Sequence, residues 1–132
     1  MESVKYIGLD VHQSTISVAV LNAEGKLTMQ SVIATKATAV RDLLTGLRGV
    51  LHVTFEEGTY SAWLYDVVVR DVARVVVCNP RKNALLKSGN KSDQIDARKL
   101  AELLRAGMLS PVYHGEQSTR TCLLYTSPSP RD

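Results

Sequence analysis

Aromatic side chains are scarce in this 132-residue chain, at 5%. That scarcity argues against an all-β sandwich, whose strands draw on Phe, Tyr and Trp. The 45% hydrophobic content leans instead on Val, Leu and Ala, the mix of an α/β domain. Cysteine is nearly missing: Cys78 and Cys122 are the only two, without metal-binding spacing, so neither a disulfide framework nor a zinc module is available. No apolar run is long enough to span a bilayer, and the start MESVKYIGLD turns polar at once instead of forming a signal peptide. There is no internal repeat and no heptad run. These absences exclude membrane and secreted disulfide-rich classes and predict one cytoplasmic domain with reduced thiols.

Charge is present but unevenly placed. The formal net charge is +3. From Arg70 to Arg105 nine basic residues accompany four acids, so that segment is +5 and the remainder −2. A basic stripe of this kind suits a phosphodiester partner, although solvated helix faces carry similar charge.

Taken in order, the chain predicts a mixed sheet. Lys5 to Asp10 is a short apolar strand ending in an acid, and Thr15 to Leu21 is a second strand, alternating and β-branched. Asn22-Ala23-Glu24-Gly25 is a turn, and Lys26 to Ala34 a third strand, giving an antiparallel meander. The period changes at Thr35 to Leu47, a helix capped by Thr35 or Thr38, with Val40, Leu43, Leu44 and Leu47 as its apolar face and Gly49 ending it. Val50 to Phe55 is a strand. Ser61 to Val72 is a helix packed through Trp63, Leu64, Val67 and Val68, with Tyr60 and Tyr65 also packing. Val75 to Cys78 is a further buried strand. Helices between apolar strands imply parallel pairing after the meander. A helical turn is expected at Asn83 to Leu86 in a basic loop. The last helix runs Lys91 to Gly107, with a stripe of Ile95, Leu100, Leu103 and Leu104. The predicted order is β-β-β-α-β-α-β-α.

Four acids stand at places that the packing does not require. Asp10 ends the first strand and Glu56 the fourth. Asp93 and Asp96, three apart, share one face near the start of the last helix. Parallel strands that neighbour each other open their C-terminal ends on one edge, where α/β sheets bind ligands. A cluster of such carboxylates can hold divalent ions that activate a nucleophile and stabilise a leaving oxygen in phosphodiester cleavage. The donors are all hard oxygens, which suits Mg²⁺. Each acid also has a plainer reading. Asp10 can satisfy loop amides, Glu56 and Glu57 compete for one position, and Ser92 or Asp93 can cap the helix. His12 reads as a loop histidine with no partner.

Residues Cys122 to Asp132, CLLYTSPSPRD, match letter for letter one reading frame of the mosaic-end adapter used in transposon-based sequencing libraries. The expectation is a protein domain over residues 1–120, cut short, followed by adapter read-through without ordered structure over 121–132.

Four motifs carry a resemblance: Tyr6-Ile7-Gly8-Leu9-Asp10-Val11-His12, Phe55-Glu56-Glu57-Gly58, Val77-Cys78-Asn79-Pro80, and Lys91-Ser92-Asp93-Gln94-Ile95-Asp96-Ala97-Arg98-Lys99-Leu100-Ala101. In this order they resemble the DEDD transposases of the IS110 group, which include pilin-gene invertases and bridge-RNA-guided recombinases. The resemblance covers Lys5 to about Arg120. It implies a RuvC-like, ribonuclease-H-like domain in which Asp10, Glu56, Asp93 and Asp96 are the catalytic, metal-binding tetrad for Mg²⁺, with Mn²⁺ as a substitute. The family places its Glu before a small residue and Gly, which favours Glu56, and Glu57 departs from that pattern. Ser92 stands where Thr is common. The resemblance further implies DNA as substrate, a guide (bridge) RNA, a homo-oligomer in the full-length protein, and a bacterial or archaeal nucleoid-associated location. Family members also carry a C-terminal domain with a nucleophilic serine, which this chain stops before, so strand transfer by the chain alone is not expected. Lys82, Lys87, Lys91, Arg98 and Lys99 are the candidate phosphate contacts.

Two other classes compete. A stand-alone RuvC or ribonuclease-H-like nuclease, such as a junction resolvase, would cleave without any further domain. A sugar-kinase or actin-like ATPase half would need a glycine-rich phosphate hairpin, and Asp10-Val11-His12-Gln13-Ser14 supplies no such glycine.

Overall fold

A computed structural model describes residues 3–79 and 96–109. Within them β1 (Val4–Val11), β2 (Thr15–Leu21) and β3 (Leu27–Ala34) form the antiparallel meander, and β4 (Val50–Glu56) and β5 (Arg74–Cys78) add parallel strands. The sheet order is β3-β2-β1-β4-β5. With helices on both faces, this mixed five-stranded sheet is a ribonuclease-H-like fold. Each predicted strand is present, within one residue at either end. The β2–β3 turn forms because the Asn22 carboxamide oxygen accepts from the backbone N–H groups of Glu24 and Lys26, both at 3.0 Å, while Gly25 takes φ +89°.

The pleat sorts the strands onto two faces. Ile7, Leu9, Ile16, Val18, Val20, Leu51, Val53 and Phe55 point to one side. There they meet Val40 and Leu44 of α1 (Ala37–Thr45) and Leu64, Val67 and Val68 of α2 (Ser61–Val68). The other side carries a smaller cluster in which Val76 and Cys78 pack against Leu100, Leu103 and Leu104 of α3 (Ala97–Ala106).

α3 approaches β1 unusually closely. A Cβ at Gly8 would overlap the carbonyl oxygen of Ala97 and lie 2.8 Å from the backbone nitrogen of Ala101. Only glycine on the strand, beneath alanines four apart on the helix, allows this contact. Ala97 and Ala101 are buried along with the predicted Leu100, Leu103 and Leu104. At the far end, Arg105 Nε donates to the carbonyl of Ala23 at 3.0 Å, fastening the helix to the β2–β3 turn. α3 therefore starts near the C-terminal edge of β1 and runs antiparallel to it. It ends with Gly107 at φ +73° and the Met108 N–H donating to Leu103 at 3.0 Å.

Four boundaries on the three helices differ from expectation. Neither Thr35 nor Thr38 caps α1: Lys36 holds the cap position without a side-chain bond, and the Thr35 hydroxyl donates to the His12 carbonyl at 2.8 Å. The helix ends at Gly46, and Gly49 serves elsewhere, at φ +101° beside the Ser3 carbonyl where the chain turns into β4. α2 stops at Val68 because the Ala73 N–H is drawn into the sheet, donating to Leu51 at 2.8 Å. The cap of α3 is Asp96, not Ser92 or Asp93. The expected turn at 83–86, the Ile95 part of the stripe and the tail 121–132 lie outside the described residues. Among the described residues, no helix is long and apolar enough to cross a membrane.

Candidate metal centre

The parallel register of β1 and β4 brings two of the predicted acids together. Leu9 is opposite Phe55, so Asp10 and Glu56, the next residues on each strand, emerge side by side at the C-terminal edge. Alternation from Gly8 and Thr54 places both on the face that α3 covers. They line one cleft of about 130 Å³, walled by Gly58, Tyr60 and Ser61 on one side and Leu100 of α3 on the other. The floor is held by buried polar bonding. The Thr54 hydroxyl donates to the Val76 carbonyl at 2.8 Å, tying β4 to β5 just below Glu56.

Glu56 and Glu57 are separated by the same register. Glu56 pairs with Cys78 in the ladder and is half-buried. Glu57 lies beyond the strand end and is exposed, with its backbone N–H donating to Cys78 at 2.9 Å, although its side chain also reaches the cleft rim.

His12 departs from its expected role. Its Nε2 lies 3.2 Å from Asp10 Oδ2, so it has a partner, and that partner is a predicted metal ligand. Spacing carried a weak signal: residues i and i+2 at the end of a strand share a face. Tyr60, expected to pack within α2, instead precedes that helix and lines the cleft, and Tyr65 is exposed. Trp63 packs against the larger core.

Asp96 caps α3, its Oδ1 accepting from the Lys99 N–H at 2.8 Å. That bond satisfies one of the orphan amides of the first turn and uses one carboxylate oxygen. Arg98 is exposed and paired with Glu102, Nε to Oε2 3.3 Å. Lys99 is exposed. Asp93, Lys82, Lys87 and Lys91 lie outside the described residues.

Among the described residues, no three His, Cys, Asp or Glu side chains converge as a metal-holding group. The acids that are described nevertheless fit a hard divalent cation in kind. Asp10 and Glu56 offer carboxylate oxygens to one cleft, and Asp96 begins the helix on the same face. Asp10 Oδ1 and Asp96 Oδ2 take no hydrogen bond from a described residue.

Comparison with known families matches residues 7–121 to the DEDD transposases of IS110 elements, a family described as transposase. No curated protein matches the chain. The match takes in the β1 acid, the β4 acid and the whole of α3, on the sheet that such a domain requires. The chain therefore belongs to the IS110 family of DEDD transposases and carries its catalytic domain.

Proposed function

We propose that Asp10, Glu56, Asp93 and Asp96 form the divalent-cation site at which this transposase domain cleaves and transfers DNA strands. The observation that supports it most is the adjacency of Asp10 and Glu56 on one cleft, on the face where α3 begins. Asp93 precedes Asp96 by three residues in the sequence. Mg²⁺ is the preferred ion and Mn²⁺ its substitute, since every donor is a carboxylate oxygen. A divalent ion held by these carboxylates would supply activation of the attacking oxygen and stabilisation of the leaving one. The residues of this chain place the DNA. The cleft admits a phosphodiester, and Arg98 and Lys99, together with Lys82, Lys87 and Lys91, supply cations for neighbouring phosphates. Asp96 does two jobs, with Oδ1 holding the helix and Oδ2 serving the cation.

The finer reading is RNA-guided transposition by a homo-oligomer, with a C-terminal serine domain completing strand transfer. Residues 122–132 are adapter-derived in this reading, on the letter-for-letter match of CLLYTSPSPRD to the adapter frame. Re-sequencing the locus tests that assignment, and a native coding stretch ending in those codons would remove it.

Calorimetry with Mg²⁺ tests the site. Asp10→Ala, Glu56→Ala and Asp96→Ala each weaken binding by about tenfold or more, and Glu57→Ala leaves it near wild type. Unchanged binding in the first three would remove the tetrad. The stand-alone nuclease is the alternative: metal-dependent cleavage of branched DNA by this chain, without any further domain, would favour it.

A further inference from the structure

The β1–β2 connection is more firmly built than a three-residue link needs. The His12 N–H donates to Thr15 at 2.8 Å, its carbonyl accepts from the Thr35 hydroxyl at 2.8 Å, and the Thr35 N–H donates to Ser14 at 3.1 Å. The His12 backbone is thus pinned to the start of β2 and to the chain leaving β3. From that fixed base the imidazole reaches back to Asp10, Nε2 to Oδ2 3.2 Å. A carboxylate only accepts, so the Nε2 in this contact carries the hydrogen and donates it.

We propose that His12 is a positioning residue for Asp10. By holding Oδ2, it fixes the carboxylate rotamer and leaves Oδ1 turned to the cleft for the divalent cation. This inference rests on the metal-site reading above. It adds a second-layer donor on a neighbouring loop, outside the four acids. Carboxylates and imidazoles that bind metals depend on such partners, and losing one costs about 10–100-fold in affinity. His12 does not itself bind the ion in this arrangement, because its Nε2–H faces the carboxylate.

The test uses the 132-residue chain and Mn²⁺ as the probe, with free Mn²⁺ followed by electron paramagnetic resonance. His12→Ala weakens Mn²⁺ binding about tenfold, and His12→Gln, which keeps an N–H donor near the Nε2 position, recovers most of the loss. The His12 side chain is 44% exposed, so its removal opens no core cavity, and thermal melts of all variants separate affinity from unfolding. Pulsed measurements on bound Mn²⁺ show no directly coordinated nitrogen in the wild type. Unchanged affinity in His12→Ala, no recovery in His12→Gln, or a directly coordinated nitrogen would each overturn the proposal. Asp10→Ala runs in parallel. If it abolishes binding while His12→Ala does not, only the positioning role fails. If Asp10→Ala also binds normally, the metal-site reading fails with it.

Discussion

Beneath α1 and α2 the sheet presents Ile7, Leu9, Val53 and Phe55 to a wide, wholly apolar cluster. On its other face, α3 meets the sheet through Gly8 and a small cluster of Val76, Cys78, Leu100, Leu103 and Leu104. Among the described residues, the first face carries the larger cluster, and it is apolar. The second contains Thr54, the strand-end acids Asp10 and Glu56, and the helix that Asp96 caps. The difference is physical. Large apolar side chains hold helices away from a sheet at ordinary packing distance, whereas glycine beneath two alanines brings a backbone close enough to deliver its first turn to the strand ends. One face makes the domain stable, and the other makes it specific.

Substitutions on each face test that division. Phe55→Ala removes a fully buried ring from the larger core and costs about 4 kcal/mol, read by chemical denaturation. Hydrogen exchange accelerates across the sheet, α1 and α2 together. Gly8→Ala forces a methyl into the Ala97 carbonyl and costs about 3 kcal/mol, with exchange accelerating first in α3 while the amides of α1 and α2 keep their protection. Equal loss of protection on both sides in the two variants would mean that the faces are not separable.

A smaller effect separates the two jobs of Asp96. Asp96→Ala loses the helix cap and about 1 kcal/mol. Asp96→Asn keeps the cap and stays within a few tenths of a kcal/mol of wild type, by the same scale, yet loses Mg²⁺ affinity as Asp96→Ala does. If Asp96→Asn binds Mg²⁺ normally, the residue is a cap only.

The smallest effect concerns His52, which lies on the α3 side of β4 and stacks edge-on against Tyr6, centroids 5.5 Å apart. Burial, and after it the Arg74 guanidinium, holds its imidazole below the ordinary value of 6.5. The unfolded chain therefore binds the proton first as the pH falls through 6.5, so this contribution is complete above that pH and is lost on acidification below it. His52→Gln flattens the dependence of the melting temperature on pH in that acidic range. A profile unchanged by the substitution would assign the acid sensitivity to other groups.

Much of this was legible from residue order, and the misses share a cause. Strands were readable because burial on two faces imposes alternation or a short apolar run, and Asn22 to Gly25 announced its turn through local hydrogen bonding. The cap of α1 was misread because Thr35, a good capping residue, spends its hydroxyl on His12, twenty-three residues away. The alanine face of α3 was invisible to a search for large apolar side chains, since its value lies in what it lets approach. His12 seemed unpartnered because a hydrogen bond to Asp10 depends on the geometry after the strand ends.

By itself, the sequence determined the alternation of strands and helices, the acids at the strand ends, and membership of the IS110 transposases. These follow from periodicity, turn chemistry and motif order, all of which are local. Only the tertiary structure decided that Asp10 stands beside Glu56, that Glu56 and not Glu57 completes the strand, that Asp96 caps the helix, and that His12 Nε2 lies within hydrogen-bond distance of Asp10. Each of those depends on the register between distant strands or on the close approach of α3 to Gly8, distances that no single stretch of chain encodes.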